Sequence, residues 1–164
     1  MLTTGLRTVS VSAADIADLK TAGDTAALYY RGKGQDEKAT YVKLAPPVED
    51  AIREYLAARS DRDATAPLFV SSSNRNGSER MTTRSISRIV KTALVSAGLD
   101  SDRLTAHSLR HTTATQNLLN GASLEETQQL LDHSRISTTM IYSHAIERAG
   151  NRSEERIAKA LFDY

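Results

Sequence analysis

The stretch "TAHSLRHTTATQNLLNG", residues 105–121, carries the strongest local signals in this chain. Its pattern predicts a helix that ends at Gly121, and Ser123 and Glu126 then have the spacing of a capping box for the next helix, "LEETQQLLDHS". In the first helix, His107, Arg110 and His111 fall on neighbouring turns. Two imidazoles and a guanidinium can therefore point into one site.

Three interpretations of "HSLRH" stay open on these residues alone. His107 and His111 have a spacing that can chelate zinc, but Arg110 between them is a permanent cation and repels a metal ion. In a purely structural interpretation, the histidines satisfy buried backbone groups and Arg110 pairs with an acid. In the third, Arg110 grips a phosphate through two parallel hydrogen bonds while His107 donates another.

The rest of the chain predicts an α+β fold that is mostly α-helical. Two β-prone runs, "TAALYYR" and "KATYVKL", flank the Gly-rich turn "GKGQDE" and predict a small antiparallel hairpin in the N-terminal half, with Lys33 in its loop. Ser12 is expected to cap a short helix that has Ile16 and Leu19 on its apolar side. Two prolines precede a helical pattern in "APPVEDAIREYLAAR", and the tail, residues 151–164, predicts a terminal amphipathic helix that either covers its own core or docks on a neighbour.

Composition limits the class of protein. The 164 residues, 40% of them hydrophobic, suit a single domain over residues 1–164. Cysteine is absent, which excludes disulfides and thiolate metal sites and fits a cytoplasmic location. The apolar runs are too short to cross a membrane. We expect a cytoplasmic domain that is monomeric in isolation.

Positive charge is concentrated in one segment. The net charge is only +1, yet five basic residues and one acid lie between Ser71 and Ala97. Here "MTTRSISRIVKTALVSAG" predicts an amphipathic helix from Thr82 to Ala97, capped by Thr82 or Thr83. A solvated basic face is one interpretation, and a face that meets a polyanion is the other. The candidate residues for contact with a polyanion such as a nucleic acid are Arg75, Arg80, Arg84, Arg88 and Lys91.

Two further residues extend the set. His133 lies 23 residues beyond Arg110, and Tyr142 lies nine residues beyond His133, in a segment that Ser137, Thr138 or Thr139 can start as a new helix. An isolated tyrosine is usually core or surface filler. Together with His107, Arg110 and His133, however, Tyr142 becomes a candidate functional residue.

The set resembles the tyrosine recombinases, and among them the integrases of phages and conjugative transposons. The matching pieces occur in the family's order: "TTGLR", "RGKG", "LTAHSLRHT" and "LDHSRISTTMIYSH". They span almost the whole chain. The resemblance implies the catalytic domain of such an enzyme, largely helical with a small sheet, acting on duplex DNA without cofactor or metal.

The resemblance also implies roles for individual residues. Tyr142 is the expected nucleophile, which attacks a scissile phosphate and forms a 3′-phosphotyrosyl bond. Arg7 and Arg110 would hold the non-bridging oxygens, with His107 as a proton-transfer partner and His133 as a further phosphate donor. A free tyrosine has a pKa of about 10 and needs cations and a base to become a nucleophile at neutral pH.

Lys33, between two glycines, is the expected general acid for the leaving 5′-oxygen, and Lys38 is its nearest competitor. The chain also departs from the family pattern. Ser10 stands where members usually carry an acid that supports the first arginine, and Asp132 replaces the commoner glycine in "LDH". Family members carry an N-terminal DNA-clamping domain ahead of Arg7, so we expect this chain to be an isolated catalytic domain.

These features predict site-specific DNA recombination, the integration or excision of a mobile element, with duplex DNA and other recombinase subunits as partners. Topoisomerases of type IB and telomere resolvases match less well. A DNA-binding remnant that has lost catalysis is the main alternative, because of Ser10 and the missing clamp. A metal-dependent hydrolase built on His107, His111 and His133 is a third.

Overall fold

The computed structural model describes residues 1–32, 34–72 and 79–162. It is mostly α-helical with one three-stranded antiparallel sheet, which confirms the predicted fold class. The elements, in chain order, are α1 (Thr8–Ser12), β1 (Leu19–Ala22), β2 (Thr25–Tyr30), β3 (Thr40–Lys43), α2 (Pro46–Ala57), α3 (Thr83–Ser96), α4 (Ala106–Leu119), α5 (Leu124–Leu131), α6 (Ile136–Gly150) and α7 (Ser153–Phe162).

The sheet contains the predicted hairpin and one strand more. Strand β2 is central, and Leu28 lies opposite both Leu19 of β1 and Val42 of β3. The prediction of a helix capped by Ser12 is wrong. Ser12 ends α1, and Leu19 begins β1 after a single 3₁₀ turn, Ile16–Asp18. The apolar spacing suited a helix, but pairing with the buried β2 decides the conformation, because strand formation depends on the neighbouring strand.

The main hydrophobic core lies between the sheet and α2. Its buried members include Leu28 and Tyr30 from β2, Val42 from β3 and Ile52 from α2, and Leu6 packs into the same cluster just ahead of Arg7. The first arginine is therefore attached to a well-packed part of the molecule.

The helices that follow begin and end where local signals predict. Helix α3 is capped by Thr82, whose hydroxyl accepts the backbone N–H of Ser85. At the start of α5, Ser123 and Glu126 form the predicted capping box. Helix α4 ends at Leu119, shortly before Gly121, which has the left-handed φ of 91°.

Helix α7 confirms the helical prediction for the tail, although residues 163 and 164 lie outside the description. None of its described residues is buried, and Ile157, Leu161 and Phe162 are between 59 and 71% exposed. The tail therefore does not cover the core of its own chain. In residues 1–32, 34–72 and 79–162 as a whole, no helix has the length and apolar character that a membrane crossing needs.

Candidate active site

Among the described cations of the candidate site, Arg110 is the most deeply buried. It lies in the second turn of α4 with only 4% of its surface exposed. Its guanidinium donates to the backbone carbonyls of Gly5 and Leu131. Burial, together with the nearby charge of Arg7, lowers the pKa of Arg110. Because the hydrogen bonds described for this guanidinium go to neutral carbonyls, its positive charge can attract an anion.

Gly5, shortly before α1, and Leu131, at the end of α5, lie close together at this point. Gly5 has a φ of 63°, and a Cβ added there would lie 2.6 Å from the Cδ2 atom of Leu131, which is fully buried. Only glycine fits without displacement. Its carbonyl is thereby placed against Arg110, and Arg7 follows two residues later.

Arg7 sits at the N-terminal cap of α1 and faces the carboxylate of Asp132, with Nη1 and Oδ2 3.7 Å apart. Asp132 itself ends α5 in the left-handed conformation, with a φ of 49°. The family resemblance places an acid beside the first arginine at the position of Ser10. Here an acid beside Arg7 comes from the end of α5 instead.

His133 follows directly, and its Nδ1 atom lies 3.0 Å from the hydroxyl of Thr139 on α6. Burial and the positive charges of Arg110 and Arg7 lower the pKa of His133 to about 4, although Asp132 opposes that shift. His133 is therefore neutral at neutral pH. It can offer a phosphate an N–H group but not a positive charge.

Tyr142 lies in the second turn of α6, and its hydroxyl is 2.8 Å from Nδ1 of His111. Burial raises the pKa of Tyr142, and the charge of Arg110 works in the opposite direction. The ring of His107 meets that of His111 edge to face, with centroids 4.5 Å apart. The resemblance gave His111 no role, and the sequence does not show that α4 and α6 meet at this residue. The proton-transfer role of His107 stays a prediction.

These side chains line one cleft of about 310 Å³. Five of the six predicted catalytic residues border it: Arg7, His107, Arg110, His133 and Tyr142. The sixth, Lys33, lies outside the described residues. Its neighbours Gly32 and Gly34 line a second cleft of about 800 Å³, which shares Arg7 with the first.

Lys38, the competitor for the role of Lys33, is held elsewhere. Its ammonium pairs with Asp15 and Asp18 and donates to the carbonyl of Ala13. Burial disfavours its charge, but the two carboxylates prevail and raise the pKa of Lys38. These partners hold Lys38 protonated at the wall of the larger cleft.

The predicted DNA-contacting residues divide into three groups. Arg75 lies outside the described residues, and Arg80 binds Asp15 and the carbonyls of Ser12 and Ala14. Arg84, Arg88 and Lys91 border a third cleft of about 520 Å³ between α3 and the start of α4. Arg84 and Arg88 are exposed, whereas Lys91 donates to the carbonyl of Ser101. Their contact with DNA stays a prediction.

The interpretation of His107 and His111 as metal ligands requires further ligand side chains close to them. Within the part of the chain that the structure describes, no three histidine or carboxylate side chains are arranged to hold a metal ion.

Comparison with known proteins identifies the family. The model of the phage integrase family matches residues 1–148. The chain belongs to this family. A tyrosine recombinase XerC of Pelobacter propionicus is 38% identical over 144 residues, which cover 88% of this chain and 45% of the relative.

Solved structures of this class share the fold. The XerA recombinase superposes with a TM-score of 0.70 at 33% identity, over 87% of this chain and 50% of XerA. XerH, in a post-cleavage complex with its difH substrate, gives 0.75 at 24% identity, over 94% of this chain and 43% of XerH. This integrase-family chain spans half or less of the length of these relatives.

Proposed function

We propose that this chain is the catalytic domain of a site-specific tyrosine recombinase, which breaks and rejoins duplex DNA through a 3′-phosphotyrosyl intermediate. The observation that carries the proposal is the single cleft in which Tyr142 faces two arginines and three histidines drawn from α1, α4, α6 and the end of α5. The names of the XerC, XerA and XerH relatives support the same class of reaction.

The reaction needs a nucleophile and a field of positive charge. The Oη atom of Tyr142 attacks phosphorus, the bond to the 5′-oxygen breaks, and the leaving oxygen takes a proton from a general acid, the role proposed for Lys33. One phosphodiester is exchanged for another, so the bond energy is retained for rejoining. No nucleotide cofactor is required.

Arg110 and Arg7 stabilise the transition state, in which negative charge gathers on the equatorial oxygens of phosphorus. Arg110 is preorganised by its two carbonyl partners, so it does not reorganise during the reaction. Arg7 must exchange its contact with Asp132 for the phosphate. Loss of one such donor costs on the order of 10²–10³ in rate.

Outside the catalytic cleft, the exposed guanidiniums of Arg84 and Arg88 contact the DNA backbone, which positions the duplex without reading its sequence. The exposed apolar side of α7 docks on another recombinase subunit assembled on the same DNA. In the whole enzyme, which acts in the cytoplasm, a DNA-clamping domain adds further contacts to the duplex. Such an enzyme serves integration or excision of a mobile element.

The test is covalent trapping on DNA. The chain is incubated with randomised duplexes that carry 5′-bridging phosphorothiolates, whose sulfur leaves without a general acid, and the products are separated on a denaturing gel. We expect an adduct that survives a chelator and disappears in Tyr142→Phe. DNA retention that is indifferent to Tyr142→Phe, with no adduct, would instead identify a DNA-binding remnant.

A further inference from the structure

The contact between Tyr142 and His111 assigns a role to a histidine that the family resemblance left without one. We propose that His111 holds the Tyr142 hydroxyl and accepts its proton through Nδ1 when the tyrosine attacks the phosphate. This inference rests on the proposed function and deepens it, because it names the base for the nucleophile of the same site.

The geometry favours His111 over the other two histidines of the cleft. Its Nδ1 atom is within hydrogen-bonding distance of the Tyr142 hydroxyl, at 2.8 Å, and their rings are in contact with centroids 5.4 Å apart. The Nδ1 atom of His133 is engaged with the hydroxyl of Thr139. His107 contacts the ring of His111, not the tyrosine hydroxyl, among the interactions that the structure describes.

Burial and the neighbouring positive charges favour the neutral form of His111, which is the form that can accept a proton. Burial, the neighbouring His107 and the guanidinium of Arg110 all lower its pKa, so His111 is neutral at neutral pH. Other charged or titratable groups that border the cleft are Arg7, Asp132, His133 and Tyr142. A bound phosphate adds negative charge to this set and favours the imidazolium that forms as the tyrosine loses its proton.

The proton and the bonds balance in both directions. During cleavage, the Tyr142 oxygen bonds to phosphorus, its proton moves to Nδ1 of His111, and the 5′-oxygen leaves with a proton from the general acid. During rejoining, the DNA 5′-hydroxyl attacks phosphorus and returns its proton to that acid. The tyrosine oxygen leaves and recovers its own proton from His111.

The first experiment compares His111→Asn with the wild type in single-turnover cleavage of the phosphorothiolate substrate between pH 5 and 9. Asparagine places a hydrogen-bond acceptor near the position of Nδ1 but does not accept a proton at these pH values. We expect cleavage to fall by on the order of 10²–10⁴-fold. The residual rate should rise with pH toward the pKa of the tyrosine, because hydroxide then replaces the base.

His144→Asn is the matched control, since His144 is an exposed histidine two residues beyond Tyr142 on the same helix. It should cleave like the wild type. A His111→Asn rate within threefold of wild type, with an unchanged pH profile, would overturn the proposal. Adduct that persists in Tyr142→Phe would instead overturn the proposed function itself, so the two failures are distinguishable.

A second experiment needs no DNA. In the full chain with ¹⁵N-labelled histidine, we expect His111 at pH 7.5 to be neutral, with its proton on Nε2 and an Nδ1 signal that changes in Tyr142→Phe. A proton on Nδ1, or an Nδ1 signal that ignores this substitution, would show that His111 does not accept the tyrosine hydroxyl and would refute the inference.

Discussion

Gly5 is the position where a single methyl group should disturb both stability and catalysis. Its backbone has a φ of 63°, and the added Cβ of Gly5→Ala would meet the Cδ2 atom of Leu131 at 2.6 Å. Gly23, in the turn between β1 and β2, has the same φ of 63°, yet an added Cβ meets nothing within 4 Å. The two substitutions impose the same backbone strain, and only one adds a steric clash.

The magnitudes follow from that difference. Left-handed strain costs alanine roughly 1–2 kcal/mol, and the stiffer unfolded chain returns about 0.4–1 kcal/mol, so Gly23→Ala should lose about 1 kcal/mol. Overpacking against Leu131 adds roughly 1–3 kcal/mol, so Gly5→Ala should lose about 2–4 kcal/mol. At about 2–4 °C per kcal/mol for a domain of this size, the melting temperatures should differ clearly.

Urea unfolding, monitored by circular dichroism, measures both variants against the wild type, and covalent trapping measures their cleavage. Gly5→Ala should also cleave poorly, because the Gly5 carbonyl that accepts from Arg110 must move. Gly23→Ala should cleave normally. Leu131→Val removes the atom that clashes, so it should recover about 1–2 kcal/mol in the double variant. Equal losses for the two glycines, or no recovery with Leu131→Val, would refute this explanation.

Three further predictions concern charge. Asp132→Gly relieves a left-handed backbone and removes a partly exposed ion pair with Arg7, so its unfolding free energy should stay within about 1 kcal/mol of wild type. Fluorescence anisotropy should show that Asp132→Gly binds DNA more tightly than the wild type, and the control Asp132→Asn should do the same. Weaker binding would contradict the proposal that Arg7 binds a phosphate of the DNA. His133 has a folded-state pKa of about 4, below its ordinary 6.5, so the unfolded chain binds its proton first and stability is lost as pH falls from 6.5 toward 4. Discounted for solvent screening, the decrease in unfolding free energy is roughly 1–2 kcal/mol. Urea titrations at pH 7 and pH 5 should show a smaller decrease in His133→Gln than in the wild type. Arg84→Ala and Arg88→Ala should each lower the salt slope of DNA binding by about one, and unchanged slopes would remove α3 from the interface.

Local chemistry explains which parts of the fold the sequence could predict. The capping box of Ser123 and Glu126 and the cap of Thr82 act within one helical turn, so their signals are complete in the sequence. Strand β1 was missed because its conformation depends on pairing with β2, for which Leu19 carries no local signal.

The site shows the same division. The family resemblance indicated Arg7, His107, Arg110, His133 and Tyr142, and these residues border one cleft in the structure. The contacts that tune them arise from tertiary packing, and no periodicity encodes them. Examples are the carbonyl partners of Arg110, the ion pair between Arg7 and Asp132, and the hydrogen bond of His111.

The most direct test of the central claim is to find which side chain carries the DNA. The trapped adduct is digested with nuclease and trypsin and analysed by mass spectrometry. Cleavage after Arg135 and Arg148 releases "ISTTMIYSHAIER", which holds one of the chain's six tyrosines. We predict a 3′-linked nucleotide on Tyr142 within this peptide. A nucleotide on another residue, or one joined through its 5′-phosphate, would contradict the account.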